Sequence, residues 1–420
     1  MNATELLATI TSHYLGGRDF NGYPLRDVAS ERADLDSLLR ELVESNLISL
    51  HFGAPHPNPY IKAFPGLPAD IQMEMLTRLD DITHLTAYPE RAYLDGVVEP
   101  DEYVGRPFSL RMALGEAALV PAYFDLRILE YYRNDPRYYY TTNELSGTIS
   151  VSDDYYETTA MRDADKVLIQ SFGYGYNEEQ IRAVCVFTTG LHRLTPEHQQ
   201  IWAAQELPEG YKMHPAYFAS AIQGEFPDGP SMFEAFTEEL EQLQKMCAVM
   251  GVPPIVRETF KGERKPANFS FLIRPTLKEL QDFHSTLDKM MSDNLNVKFF
   301  EADGLALEAE TERKDGKVEV ARKGTISLLA EWTDQITFPD PRPKDLMIKT
   351  FREVRRLRQR PAHAADDNTF NLEYYKQQRQ LMVEAYRAIR TLRLILENHP
   401  DLAAYDEVPE WLAGGTIYSF

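Results

Sequence analysis

Helical spacing over the last third of the chain is the feature that most limits how these 420 residues can fold. Thr276 and Glu279 have the spacing of a capping box, in which each side chain accepts a hydrogen bond from the other residue's backbone amide. The apolar positions that follow predict a helix with one buried face: Leu277, Leu280, Phe283, Leu287, Met290 and Met291. The same periodicity predicts further helices near 325–336, 343–358 and 372–397.

Two extended runs separate the first of these helices from the second. Val297 to Leu307 and Val318 to Val320 lie on either side of Asp315-Gly316, a dipeptide typical of tight hairpin turns. We therefore expect residues 271–420 to form four helices with a β-hairpin inserted after the first.

The first 64 residues alternate helix signals with short breaks. A helix over 31–45 is predicted from Leu35, Leu38, Leu39 and Leu42, and a strand follows over 47–50. Helix, helix and β wing is the order of a winged helix-turn-helix. The helix that would read DNA is rich in acidic residues, namely Glu31, Asp34, Asp36, Glu41 and Glu44. Such a face repels a phosphate backbone, which argues against DNA contact. DNA contact, protein docking and a purely structural role therefore stay open as alternatives for this region.

The middle of the chain mixes both types of structure. Frequent prolines predict short helices over 55–110, and a periodic stretch from Leu110 to Tyr132 predicts a longer one. Three β-rich runs predict a small sheet: 148–151, 166–170 and 183–187. Thr195 and Pro196 predict the start of a helix through Trp202, and another helix is expected over 231–250.

The sequence therefore predicts an α+β fold that is mainly helical. The expected regions are winged-helix-like (1–64), a helical linker region (65–145), a small central α+β domain (146–270) and a C-terminal helical domain (271–420). No apolar run approaches the ~20 residues that span a bilayer. The N-terminus lacks a secretory pattern, and the two cysteines, Cys185 and Cys247, predict reduced thiols in a cytoplasmic protein without membrane association.

Charge is unevenly distributed along the chain. The net charge is −21, so nucleic acid would have to be bound locally or transiently if it is bound at all. Between Arg342 and Arg360 there are eight basic residues and only two acidic ones, Asp345 and Glu353. A run of this kind is usually a solvated helix face, but this one ends close to a histidine.

Common cofactor and metal motifs are missing from the sequence. Gly173 and Gly175 begin like a dinucleotide fingerprint, but the third glycine position holds Glu178. Neither a Gly-x4-Gly-Lys-Ser/Thr loop nor a His-Glu-x-x-His pair occurs. We therefore expect no cofactor and no metal.

Arg358 and His363 are separated by four residues at the expected end of a helix, and Gln359 follows the arginine. This segment resembles the Arg-x4–6-His motif of HEPN ribonucleases, and the resemblance extends to the order of the helices over about 120 residues. It implies a metal-independent endoribonuclease in which Arg358 and His363 are catalytic. The basic neighbours Arg352, Arg355, Arg356 and Arg360, together with Gln359, would then bind RNA.

The resemblance also implies a homodimer, because two motifs meet in one cleft in that family. Proteins of this build resemble toxins and antiviral defence effectors, which implies restraint by the preceding domains. Arg356 also lies within the permitted spacing and competes for the arginine role. Alternatively, Arg358 could pair with Asp366 or Asp367, and the protein would be a non-catalytic winged-helix DNA-binding or scaffold protein that dimerises through its HEPN-like domain.

Overall fold

Helices predominate in the computed structural model, which describes residues 2–29, 34–53, 56, 58–143, 145–158, 161–179, 181–226, 229–312, 318–359 and 368–417. The strands within these ranges form small antiparallel sheets, so the protein belongs to the α+β class. Contacts divide the chain into an N-terminal unit (Met1–Tyr140 and Ser146–Tyr217) and a C-terminal unit (Thr141–Leu145 and Phe218–Phe420). The finer division at residues 64, 145 and 270 stays a prediction.

The N-terminal part is built from short helices and strands. Its α-helices are α1 (Ala3–Gly16), α2 (Arg26–Ala29), α3 (Leu35–Glu44), α4 (Ala69–Arg78), α5 (Arg91–Leu94), α6 (Pro107–Ala113), α7 (Glu130–Arg133), α8 (Asp153–Tyr156), α9 (Thr188–Leu191), α10 (Pro196–Ala203) and α11 (Pro215–Phe218). Its strands are β1 (Tyr23–Pro24), β2 (Ile48–His51), β3 (Thr86–Pro89), β4 (Pro121–Phe124), β5 (Tyr138–Thr142), β6 (Ser146–Val151), β7 (Leu168–Tyr176), β8 (Arg182–Phe187) and β9 (Lys212–Met213).

A three-stranded sheet of order β1-β3-β2 packs against the first helices. Helix α3 forms because its leucines recur at helical spacing, and the residues that it buries are Leu35, Leu39, Leu42 and Val43. In β2, Ile48 and Leu50 join the same core, while Ser49 and His51 point to the opposite face. The predicted helix and the strand after it are therefore confirmed.

A second sheet has the order β4-β8-β7-β6-β5, and β9 pairs with β7. It contains the three strands predicted between 146 and 190. The long helix predicted from Leu110 to Tyr132 is wrong. Helix α6 ends at Ala113, Gly115 adopts a φ of 86°, and β4 follows after a loop. A positive φ favours glycine and ends the helix, so the apolar residues beyond it are divided between β4 and a short helical stretch that ends with α7.

The C-terminal unit is mainly helical. Its elements are α12 (Met232–Val249), α13 (Leu277–Met290), α14 (Val297–Ala302), β10 (Glu308–Glu312), β11 (Val318–Arg322), α15 (Thr325–Asp334), α16 (Arg342–Gln359), α17 (Glu373–Glu397) and α18 (Glu410–Gly414). The four predicted helices are α13, α15, α16 and α17. In the described ranges, none of the helices combines the length and the apolar character that crossing a bilayer requires.

The hairpin begins later than predicted. Residues 297–302 are helical, because the Asn296 side chain accepts a hydrogen bond from Lys298 N and the rings of Phe299 and Phe300 enter the core. The strands are β10 and β11, with Glu310 opposite Val320. The predicted turn at Asp315-Gly316 lies outside the described residues.

The capping box predicted for α13 is only half formed. Thr276 Oγ1 accepts a hydrogen bond from Glu279 N at 3.3 Å. The Glu279 carboxylate accepts hydrogen bonds from the backbone amides of Ile273 and Arg274, at 2.9 and 3.1 Å. Glu279 therefore ties the helix start to the preceding loop.

Helix α12 packs along α17, and both contribute to one core with α13, α15 and α16. Within this core, Arg393 of α17 donates a hydrogen bond from Nε to Glu239 of α12, and both side chains are buried. A second bond runs from Arg393 Nη1 to Glu397 at 2.7 Å. Burial raises the pKa of Glu239 to about 7, although Arg393 opposes this shift.

Replacing Arg393 with methionine should destabilise the protein in a pH-dependent way. At pH 8 the Glu239 carboxylate would lose its counter-ion, and unfolding free energy should fall by about 3–5 kcal/mol. Because the folded pKa of Glu239 lies above its unfolded value, the folded state takes up the proton first as pH falls, and the loss should be smaller at pH 5.5.

Urea unfolding at both pH values measures this effect. Arg387→Met is the matched control, because Arg387 lies exposed on the same helix and should change stability by under ~0.5 kcal/mol. An equal loss at the two pH values would contradict the role given to Glu239.

Candidate active site

Helix α16 carries most of the predicted site residues. It forms because its apolar residues recur at helical spacing and enter the core, namely Met347, Ile348, Phe351 and Val354. The described part of the helix ends at Gln359, which is exposed. The predicted site residues Arg360 and His363 lie outside the described residues. So do Asp366 and Asp367, the alternative partners predicted for Arg358.

Arg358 and Arg355 are held by two aspartates in and just after α13. Arg358 Nη1 donates to Asp288 Oδ2 at 2.7 Å and also to Asp293 Oδ2. Arg355 lies 3.2 Å from Asp288 Oδ1 through Nε and donates from Nη2 to Asp293 Oδ1 at 2.6 Å. Asp288 is fully buried, so these arginines provide the countercharge that a buried carboxylate requires.

Charge interactions within this cluster favour the ionised forms. Hydrogen bonds raise the pKa of Arg358, and the bond to Asp288 has a larger effect than the bond to Asp293. Burial alone would raise the pKa of Asp293, but hydrogen bonds from Arg358 and Arg355 lower it below its usual value. The described partners of Arg358 therefore come from α13 and the residues just after it. The alternative pairing with Asp366 or Asp367 stays a prediction, since both lie outside the described residues.

Part of the Arg358 guanidinium stays available for another ligand. Both of its ion pairs use Nη1, and neither Nε nor Nη2 has a partner among the residues that the structure describes. The side chain is 31% exposed. A guanidinium fixed at one corner and open at its other edge is preorganised to donate two parallel hydrogen bonds to a phosphate.

Four further basic residues of α16, namely Lys344, Lys349, Arg352 and Arg356, face a different surface. A groove of about 490 Å3 lies beside α15 and α16, and its lining comprises Ala330, Asp334, Lys344, Asp345, Ile348, Lys349, Arg352, Glu353 and Arg356. Arg356 pairs with Glu353. Lys349 and Arg352 have no ion-pair partner within the described ranges. Of the predicted RNA-binding residues, Arg352 and Arg356 line this groove, whereas Arg355 belongs to the cluster at Asp288.

The two aspartates are the site residues that sequence reasoning missed. Asp288 falls on the buried face of α13, between Leu287 and Met290. A charged residue in an apolar stripe is a signal that a buried ion pair exists, because an unpaired charge would be costly there. The sequence contains no signal for which of the 44 basic residues supplies the partner.

Comparison of the chain with protein-family models, with curated proteins and with solved structures finds no match in any of the three.

Removing the buried carboxylate should test how strongly this cluster holds the unit together. Asp288→Ala leaves two arginines facing each other with only Asp293 between them, and we expect a loss of about 3–5 kcal/mol in unfolding free energy. Glu353→Ala, which removes an exposed pair with Arg356 on the same helix, should cost under ~1 kcal/mol. Urea unfolding of both variants gives the comparison, and equal losses would show that burial of Asp288 carries no special weight.

Proposed function

We propose that the C-terminal unit is a metal-independent endoribonuclease of the HEPN type. The observation that carries the proposal is the state of Arg358, which is fixed through Nη1 near the end of α16 and open at Nε and Nη2 among the described residues. The order of α13, a hairpin, α15, α16 and α17 also supports it. Four residues separate Arg358 from His363 in the sequence, as the motif requires.

The proposed reaction needs an anion-binding group and a proton shuttle. The ribose 2′-oxygen attacks the adjacent phosphorus, the bond from phosphorus to the 5′-oxygen breaks, and a 2′,3′-cyclic phosphate remains. One histidine takes the 2′-hydroxyl proton while another acid supplies a proton to the leaving 5′-oxygen. Arg358 stabilises the negative charge that develops on the phosphoryl oxygens.

In this proposal the second proton-transfer group is His363 of a second copy of the chain. Since each chain carries one Arg358 and one His363, the proposed site is completed by a two-fold dimer of the C-terminal unit. Each subunit then contributes one base or acid and one arginine.

The N-terminal region supports a docking role for the first unit. The elements of this region follow one another along the chain as α1, β1, α2, α3, β2, α4 and β3, and the strands form a sheet of order β1-β3-β2. This arrangement is compatible with a winged helix that has α4 inserted between its last two strands. The exposed side of α3 carries Asp36, Glu41 and Glu44, and Arg40 is paired with Asp36. An acidic surface favours a basic protein partner over DNA.

A second candidate is a non-catalytic scaffold that dimerises through its C-terminal unit. The ion pairs of Arg355 and Arg358 with Asp288 favour it, because both arginines already have a structural task. In that case, loss of the Arg358 side chain should lower the unfolding free energy of the protein without changing any cleavage of RNA.

Cleavage of RNA in the presence of EDTA is the first expected result. The products should carry 2′,3′-cyclic phosphate ends, and a 2′-deoxy substitution at the cut should block the reaction, because the 2′-oxygen is the nucleophile. Gel analysis of a labelled oligoribonucleotide measures both properties. Cleavage of DNA, or a strict need for magnesium, would contradict the proposal.

Substitutions separate the catalytic candidate from the scaffold. His363→Ala and Arg358→Ala should each reduce the rate of cleavage by roughly 10²-fold or more. Arg358→Lys should retain only part of the wild-type rate, since an ammonium group lacks the planar arrangement of donors of a guanidinium group. His399→Ala and Arg342→Ala are matched controls, because both side chains are exposed elsewhere in the same unit. Full cleavage by the His363 and Arg358 variants would place any active site elsewhere.

Assembly gives an independent test. Light scattering of the full chain at micromolar concentration should give about twice 48.2 kDa. A protein that stays monomeric with RNA bound would lack the second half of the proposed site.

A further inference from the structure

Four basic residues recur at every third position along α16. They are Lys349, Arg352, Arg355 and Arg358, and we call them the basic row. Each step of three residues advances about 4.5 Å along the helix axis and about 60° around it. Neighbouring members are therefore about 5–6 Å apart at their Cβ atoms. The basic row thus winds around α16 and connects the cluster at Asp288 with the groove beside α15.

The Arg358 end of the basic row keeps hydrogen-bond donors although its charge is balanced. Arg355 and Arg358 are held by Asp288 and Asp293. Their side chains are 29% and 31% exposed. Besides the open Nε and Nη2 of Arg358, Nη1 of Arg355 has no partner in the part of the chain that the structure describes. Both guanidinium groups are therefore fixed in place and still able to donate to an anion.

The other end of the basic row lies in the groove. Lys349 and Arg352 are exposed and contribute to its lining, together with the apolar side chains of Ala330 and Ile348. Within the described ranges, neither cation forms an ion pair. Their charges therefore face solvent, where a bound anion can reach them.

The carboxylates of the groove are engaged by its other two cations. Lys344 Nζ lies 2.8 Å from Asp334 Oδ1 and 3.8 Å from Asp345 Oδ1. Arg356 donates two hydrogen bonds to Glu353, from Nε at 2.8 Å and from Nη2 at 2.5 Å. Since these pairs are closed within the groove, the members of the basic row supply its uncommitted positive charge.

We propose that the basic row binds the backbone of a single RNA strand, with the groove holding phosphates that lie beyond the scissile one. The spacing of its members is similar to the distance between successive phosphates of a strand, so each step meets one phosphate. The groove end at Lys349 then lies about three nucleotides from the cut at Arg358. This position of the cut rests on the ribonuclease proposal, whereas binding of the strand does not require cleavage.

An RNA strand fits the basic row better than an acidic peptide does. The charges of a nucleic-acid backbone recur at a regular interval, as the cations of the row do, whereas the carboxylates of a peptide lie on separate flexible side chains. Two uncommitted cations on a protein of net charge −21 imply weak binding that depends strongly on salt.

Binding of an uncleavable RNA tests the basic row directly. The probe is a labelled RNA octamer with 2′-O-methyl groups, and fluorescence anisotropy at several salt concentrations gives its Kd with the full chain. Lys349→Met and Arg352→Met should each weaken binding at low salt by roughly threefold or more. Each should also reduce the slope of log Kd against log salt by about 0.7, because one phosphate contact is lost.

Arg342→Met is the matched control for both variants. Arg342 lies on the same helix, is 84% exposed and pairs with Asp340 outside the basic row. Its loss should leave the Kd and its salt dependence unchanged. All three variants should melt at the wild-type temperature, because the side chains removed are exposed.

Cleavage of substrates of increasing length tests where the cut lies along the basic row. Extension on one side of the cut should lower KM up to about three nucleotides and have little effect beyond that. This advantage of longer over shorter substrates should shrink in Lys349→Met and Arg352→Met and persist in Arg342→Met. Arg358→Ala should instead act on kcat, because Arg358 contacts the reacting phosphate.

The outcomes separate this inference from the ribonuclease proposal. Unchanged RNA binding and salt dependence in Lys349→Met and Arg352→Met would overturn the basic row, even if the protein cuts RNA. Binding that depends on both residues without any cleavage would support the row and contradict the nuclease. No binding of the RNA octamer, or binding of a polyglutamate peptide in its place, would overturn RNA as the occupant.

Discussion

The fully buried carboxylate of Asp288 fixes how α16 lies against α13. A carboxylate at this depth requires cationic partners, and Arg355 and Arg358 supply them from successive turns of one helix. Because both arginines must reach the same aspartate, the rotation of α16 about its axis and its position along α13 are set together. A shift of α16 by one residue would withdraw both guanidinium groups and present different side chains to α13.

This orientation determines what the rest of α16 can do. With Arg355 and Arg358 directed to Asp288, the helical period turns Arg352 and Arg356 to the groove beside α15. The seven basic residues of the segment that the structure describes therefore do not form one electropositive surface. One pair balances an internal charge, and the free cations in the described groove are Lys349 and Arg352. A protein with a net charge of −21 that binds RNA here must do so through few contacts.

Local patterns predicted five helices of the C-terminal unit, namely α12, α13, α15, α16 and α17, because each of them buries a stripe that is visible in the sequence. The errors have one cause. The stretch 110–132 and the run 297–307 have apolar residues in spacings that suit either helix or strand, and local features such as Gly115 and Asn296 decide the outcome. In the candidate site, Arg358 was predicted from its motif, and that role stays a prediction. Asp288 was not predicted, because its partner lies some 70 residues away in the chain.

Buried charges show where the C-terminal unit is held together. Glu239 with Arg393, and Asp288 with its two arginines, are pairs whose removal affects the core around them. Each pair joins two helices that lie far apart in the sequence, α12 with α17 and α13 with α16. Because a buried charge requires its partner, these pairs fix contacts between helices that local helical patterns leave open.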